Sequence, residues 1–139
     1  MYGERLRAVL AELSSGGAPA ARLCEVTARL VDVSGSGIML MSGDVPQGSL
    51  CSTNEASALI EDLQYTLGEG PCVDAYRHDQ VVLEPDLANP AIARWSAFSP
   101  AALSAGVRAV FGFPFRIGGA RLGAVNLYRD RPGPLRVHR

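Results

Sequence analysis

Three cysteines and two histidines are the residues of this 139-residue chain with the most chemistry to offer. Cys24, Cys51 and Cys72 are odd in number and far apart, matching neither an even disulfide framework nor the paired CxxC geometry of zinc sites, so three reduced thiols are expected. His138 stands next to the last residue, which leaves His78 alone to ligate a metal or activate a nucleophile. With His78 the one usable histidine and no HExxH motif, hydrolytic triads and zinc-protease chemistry are not expected, and no metal site is expected. Glu69 and Asp86 have no second carboxylate or histidine at a spacing that would make an acid–base pair, and both read as loop capping groups. Cys72 follows Gly70-Pro71 at a helix start, where exposed N–H groups and the helix dipole favour a thiolate. It is the candidate redox residue; the competing reading is a small side chain packed against the core.

A second constellation is aromatic. Tyr76, Trp95 and Phe98 fall on segments that cover a sheet, and Phe111, Phe113 and Asn126 fall on strands of it. Together they form a candidate pocket for a small aromatic or heteroaromatic metabolite, although each aromatic also suits ordinary core packing. Asn126 interrupts Val125 and Leu127 in an interior strand, and a buried amide needs partners. Arg108 and Arg116 read as rim charges.

The elements that position these groups follow from periodicity. Leu6, Val9, Leu10 and Leu13 lie at i, i+3, i+4 and i+7 and predict an amphipathic helix over residues 3–13, whose stripe is the candidate dimer interface. A second helix starts near Pro19 and turns Leu23, Val26 and Leu30 inward, with Cys24 beside them. Ile38 to Met41 is an unbroken apolar run, read as a strand buried on both faces, and residues 49–53 form its antiparallel neighbour. Thr53 or Asn54 caps a helix over Glu55–Leu67 with Leu59, Leu63 and Leu67 in one stripe and Ile60 beside it; Gly68 closes it, and Pro71 opens a short helix. Residues 81–83 form a strand stopped by Pro85. Residues 91–98 are helical in character, with a fresh start at Ser99-Pro100 and an end at Gly106.

Gly118-Gly119 joins two long strands, 107–117 and 120–129, in a hairpin. With Ile117 facing Ala120, Phe111 would face Asn126 and Phe113 would face Ala124, all on one side. The order of elements is that of an α+β domain around an antiparallel sheet.

Composition bounds the remainder. Hydrophobic residues make up 47% and charged residues 19%, enough for one well-packed domain and too apolar for wholesale disorder. A net charge of -1 provides no field to attract nucleic acid or an anionic membrane. The longest uncharged stretch runs from Trp95 to Val107, short of the roughly 20 apolar residues of a spanning helix. No signal-peptide pattern follows Met1, and a cytoplasmic location is expected.

The run Leu67-Gly68-Glu69-Gly70-Pro71-Cys72, then Val82, Pro85-Asp86-Leu87, Trp95, Gly106-Val107-Arg108-Ala109-Val110-Phe111, Phe113-Pro114 and Leu122-Gly123-Ala124-Val125-Asn126-Leu127-Tyr128 resembles a GAF domain, over about Leu6 to Pro134. It is most similar to the actinobacterial kind that precedes an ANTAR RNA-binding antiterminator domain. The resemblance implies a central antiparallel sheet, N-terminal helices on one face that often dimerise, and short helices and loops covering a small-molecule pocket on the other. It implies a single domain over residues 1–135 and a tail over 136–139 without an output domain.

Ligand classes can be checked residue by residue. No Asp-Ile-Pro-like motif of a bilin-binding member appears around Glu84 to Arg94, no lysine exists for the cyclic-nucleotide motif, and haem would depend on His78. GAF proteins that reduce free methionine sulfoxide have a cysteine matching Cys72, but their catalytic cysteine falls in the segment corresponding to residues 95–106, which has none. The expected function is a non-catalytic, homodimeric sensor without a cofactor, binding a small molecule in signal transduction or transcription antitermination. The alternative is a structural or protein-interaction adaptor.

Overall fold

A glycine-framed asparagine at the centre of a five-stranded sheet organises the domain. The computed structural model describes residues 18–43 and 45–136. Its elements are α1 (Ala18–Leu30), β1 (Gly35–Ser42), β2 (Val45–Ser52), α2 (Glu55–Leu67), α3 (Pro71–His78), β3 (Val82–Glu84), α4 (Phe98–Ser104), β4 (Ala109–Ile117) and β5 (Ala120–Arg129). The strand order is β2-β1-β5-β4-β3, and every neighbouring pair is antiparallel. The α+β class, the antiparallel sheet and the helical covering are as the sequence predicts. The stripe Leu6, Val9, Leu10 and Leu13 lies outside the described residues.

Local chemistry sets the helix ends. The Asn54 side chain accepts the Ser57 N–H at 2.8 Å, so Asn54 rather than Thr53 caps α2. Gly68 adopts a left-handed conformation (φ 70°) that ends α2, and Pro71 occupies the first turn of α3. Residues 91–97 are irregular rather than helical. Trp95 stands at φ 53°, a left-handed value that breaks any helix there, and α4 begins at Phe98 instead of Ser99. Its start is held from another element: Glu69 Oε1 accepts the N–H groups of Ala97 (2.6 Å) and Phe98 (2.7 Å). Glu69 is therefore a capping group, as its sequence context predicts.

The hairpin corrects the expected register. Ile117 pairs with Ala120 and Arg116 with Arg121, but a bulge between Phe115 and Arg116 then places Phe115 opposite Gly123. One extra residue inverts the faces beyond it. Phe113 thus pairs with Val125, Phe111 with Leu127, and Asn126 with Gly112.

Two cores result, one on each face. Beneath α2, α3 and α4 lie Met39, Ile60, Cys72, Tyr76, Trp95, Phe98, Val110 and Tyr128. On the opposite face Ala109, Phe111 and Leu127 pack with Val31, Val33, Phe113, Val125 and Leu135.

Both predicted helical stripes are corrected. In α2 the buried side chains are Ser57, Ile60, Glu61 and Gln64; of the predicted stripe Leu63 packs half-buried against the core, as expected, while Leu59 and Leu67 are exposed. In α1 Leu23, Val26 and Leu30 point outward and Cys24 alone among residues 22–30 is buried. The expectation of three reduced thiols also fails, because Cys24 and Cys51 form a disulfide with Cα atoms 6.2 Å apart. Spacing along the chain conceals this proximity: α1 crosses the edge pair β1–β2, and Cys51, paired with Ile38, meets it there. Among the described residues Cys72 is the free thiol.

Candidate functional site

Asn126 sits in the middle of β5 with Gly37 of β1 on one side and Gly112 of β4 on the other. The two glycines leave the sheet without side chains around the amide, and helices fill both openings. A Cβ at Gly37 would collide with the Glu61 carboxylate, and one at Gly112 would collide with the Pro71 carbonyl. Close approach, not a turn, is what requires glycine at these two positions.

Glu61 and Gln64, one turn apart on α2, bring their polar ends to this place. Asn126 Nδ2 donates to Glu61 Oε1 at 3.2 Å. Gln64 Oε1 accepts the Cys72 N–H at 2.7 Å, closing the first turn of α3 with a side chain from α2. Glu61, Gln64, Cys72 and Asn126 form one polar group inside the core, each with at most 3% of its surface exposed. Glu61 Oε2, Gln64 Nε2 and Asn126 Oδ1 have no partner of good hydrogen-bond geometry among the described residues, although the Ser49 hydroxyl lies near Glu61 and the Cys72 thiol near Gln64 and Asn126. A buried polar atom without a good partner costs about 1–3 kcal/mol, so a further polar group placed against these three atoms would be favourable.

Burial pushes the Glu61 carboxyl up to about 7, against the lowering effect of the Ser49 hydroxyl and the Asn126 amide, with Asp62 adding to the rise. The Cys72 thiol is driven well above its ordinary value, first by burial and then by the Glu61 charge, despite the Gln64 and Asn126 side chains. This environment favours the neutral thiol, opposite to the activation expected from the helix start alone.

The candidate pocket residues divide between the faces. Tyr76, Trp95, Phe98 and Asn126 share the helical face, whereas the bulge carries Phe111 and Phe113 to the other. Trp95 is fixed in detail: its Nε1 donates to Asp74 at 2.9 Å, Phe98 meets it edge-on with centroids 5.8 Å apart, and the Arg94 guanidinium lies 4.5 Å from its ring centroid. Arg94 also pairs with buried Glu84 at 3.3 Å. Arg121 lies over Tyr76, 5.0 Å from its ring centroid. A left-handed tryptophan held by three neighbours is local strain kept in place by its surroundings.

Other candidates fall elsewhere. His78 is exposed at the end of α3. Arg116 pairs with Asp79 at the rim, holding that carboxyl below its ordinary value, and Arg108 donates to the Leu103 and Val107 carbonyls. Among the described residues no three His, Cys, Asp or Glu side chains are arranged to hold a metal. No described helix is long and apolar enough to cross a membrane.

The sequence singles out Asn126 and Cys72 but not Glu61 and Gln64, which the fold brings beside them. The available signal was Ser57, Glu61 and Gln64 at i, i+4 and i+7, a polar seam beside Ile60 on a helix whose leucines drew the apolar reading.

The GAF domain family model matches residues 5–138, and the chain belongs to that family. Solved structures agree on the fold. A type II free methionine-R-sulfoxide reductase from Thermoplasma acidophilum superposes with a TM-score of 0.56 at 15% identity, covering 88% of this chain and 78% of that one. The GAF domain region of a protein described as a membrane protein from Geobacter sulfurreducens PCA gives 0.57 at 12%, covering 94% and 84%. A domain of a protein described as a two-component sensor histidine kinase from Sinorhizobium meliloti 1021 gives 0.51 at 14%, covering 91% and 74%. No curated protein sequence matches. GAF domains are typically sensory or regulatory, and the neighbours' individual activities do not transfer at these identities.

Proposed function

We propose that this chain is a non-catalytic regulatory GAF domain that binds a small molecule on the helical face of its sheet. The observation that carries the reading is the trio of unpaired atoms, Glu61 Oε2, Gln64 Nε2 and Asn126 Oδ1, in a core that otherwise packs apolar side chains. One amide donor, one amide acceptor and a carboxyl that changes protonation near neutrality suit a flat, heteroaromatic or amide-bearing ligand, with Tyr76, Trp95 and Phe98 supplying the apolar walls. Against catalysis stand the buried, protonated Cys72 and the absence of a cysteine in residues 95–106.

Native mass spectrometry of freshly purified protein tests this reading. A defined non-protein mass retained by the parent and lost from Asn126→Leu supports it. The bare sequence mass in both, with no thermal shift from a panel of heteroaromatic metabolites, contradicts it and favours a protein-interaction adaptor.

The finer reading is a homodimer acting through Leu6, Val9, Leu10 and Leu13 in control of transcription antitermination, supported by the amphipathic spacing and by the motif order of the sequence. Light scattering reports the first part directly: a monomer at high micromolar concentration removes the dimer.

A further inference from the structure

α1 is attached to the sheet in an unusual way. Among residues 22–30 the one buried side chain is Cys24, 1% exposed, while Leu23, Val26 and Leu30 face outward. A helix normally holds its sheet through an apolar stripe. Among its described side chains the deepest is Cys24, bonded to Cys51 on edge strand β2, and the Ser36 Oγ donates to the Cys24 carbonyl at 2.6 Å. The helix leads directly into the connector Val31 to Val33, whose valines, like Leu135, pack against the cluster of Ala109, Phe111 and Leu127, and the Asp32 N–H donates to the Arg136 carbonyl at 2.7 Å. Asp32 also receives Arg129 and Arg131, so the root of α1 and the C-terminal segment are one connected unit.

We propose that Cys24–Cys51 is a redox modification site whose reduction by a dithiol releases α1 from β2 and thereby loosens the C-terminal segment. Cys51, a partly exposed residue on the edge strand, is the point of attack, whereas Cys24 is buried. A thiolate of the dithiol bonds to Cys51 Sγ and displaces Cys24 as a thiolate, which takes up a proton. The second thiol of the reductant then attacks its own sulfur in the mixed disulfide and frees Cys51. The net reaction moves two electrons and two protons from the dithiol, which becomes a disulfide, to the protein pair. Cys72, buried beneath the other face, takes no part. The inference is independent of the ligand-binding reading, because it concerns the opposite face of the sheet.

Hydrogen–deuterium exchange of the full chain, before and after millimolar dithiothreitol, tests it, with thiols counted by alkylation in denaturant. The expected result is one free thiol before reduction and three after, with exchange over residues 18–33 and 130–136 faster by about tenfold or more while α2 and α3 are unchanged. Re-oxidation restores protection, and Cys72→Ser responds as the parent does. A Cys24→Ser/Cys51→Ser variant exchanges at the fast rate in both conditions. Three thiols before reduction, a bond that resists dithiothreitol in the folded protein, or equal protection of α1 in both states would overturn the proposal. Ligand retention in the native spectrum is read separately, so either idea can fail alone.

Discussion

Phe111 and Asn126 lie on adjacent strands of one sheet, each 1% exposed, yet they face opposite ways into cores of different character. Around Phe111 the packing is apolar, and the helix on that side is fastened covalently. Around Asn126 two glycines let the Glu61 carboxylate and the Pro71 carbonyl approach the sheet closely, and three polar atoms lack a partner of good geometry among the described residues. A closed core tolerates such atoms poorly, whereas a surface shaped for a ligand requires them. The proposed division of labour, stability on the first face and ligand binding on the second, rests on this contrast.

The largest expected effect is on the dry face. Phe111→Ala should destabilise the domain by about 3–5 kcal/mol in urea titrations and leave retention of any bound molecule unchanged where the variant is folded. An equal loss of both would break the division between faces. Next, Cys24→Ser/Cys51→Ser should cost about 3.5 kcal/mol, the loop-closure value for residues 27 apart in sequence. A change within error would show that the bond contributes nothing to the folded state.

On the wet face, Glu61 makes stability pH-dependent. Its carboxyl holds a proton up to about 7 in the folded protein, against an ordinary value of 4.5. Its stabilising contribution is therefore fully present below about 4.5 and is lost as pH rises through about 7. Stability measured from pH 4.5 to 8 should fall by on the order of 2–3 kcal/mol through this group, and Glu61→Gln should flatten that slope. An identical slope in both proteins would place the titration elsewhere. The smallest effect belongs to the cover: Glu69→Ala removes the acceptor for the Ala97 and Phe98 N–H groups and should cost about 1 kcal/mol, with a change in Trp95 fluorescence.

Much of the fold is legible in the sequence because its signals are local. Asn54 before Glu55, Gly68 after Leu67, Pro71, and the Gly118-Gly119 turn each act within a few residues, and the elements they bound form as expected. The site is less legible because it depends on tertiary placement. A single bulged residue near Phe115 decides which face receives Phe111 and Phe113, and periodicity alone carries no trace of it. The disulfide depends on α1 crossing an edge strand, a relation between elements rather than a spacing. Glu61 and Gln64 are hidden for a third reason: where a helix faces an asparagine framed by glycines, its polar side chains turn inward and leucines such as Leu59 and Leu67 no longer mark the buried side.

A high-resolution crystal structure of freshly purified protein tests the central claim most directly. The account predicts density for a molecule larger than water, in contact with at least two of Glu61 Oε2, Gln64 Nε2 and Asn126 Oδ1. Those three atoms satisfied solely by one another, by Ser49 or by Cys72 would contradict it, and the polar core would then be a structural feature of the fold.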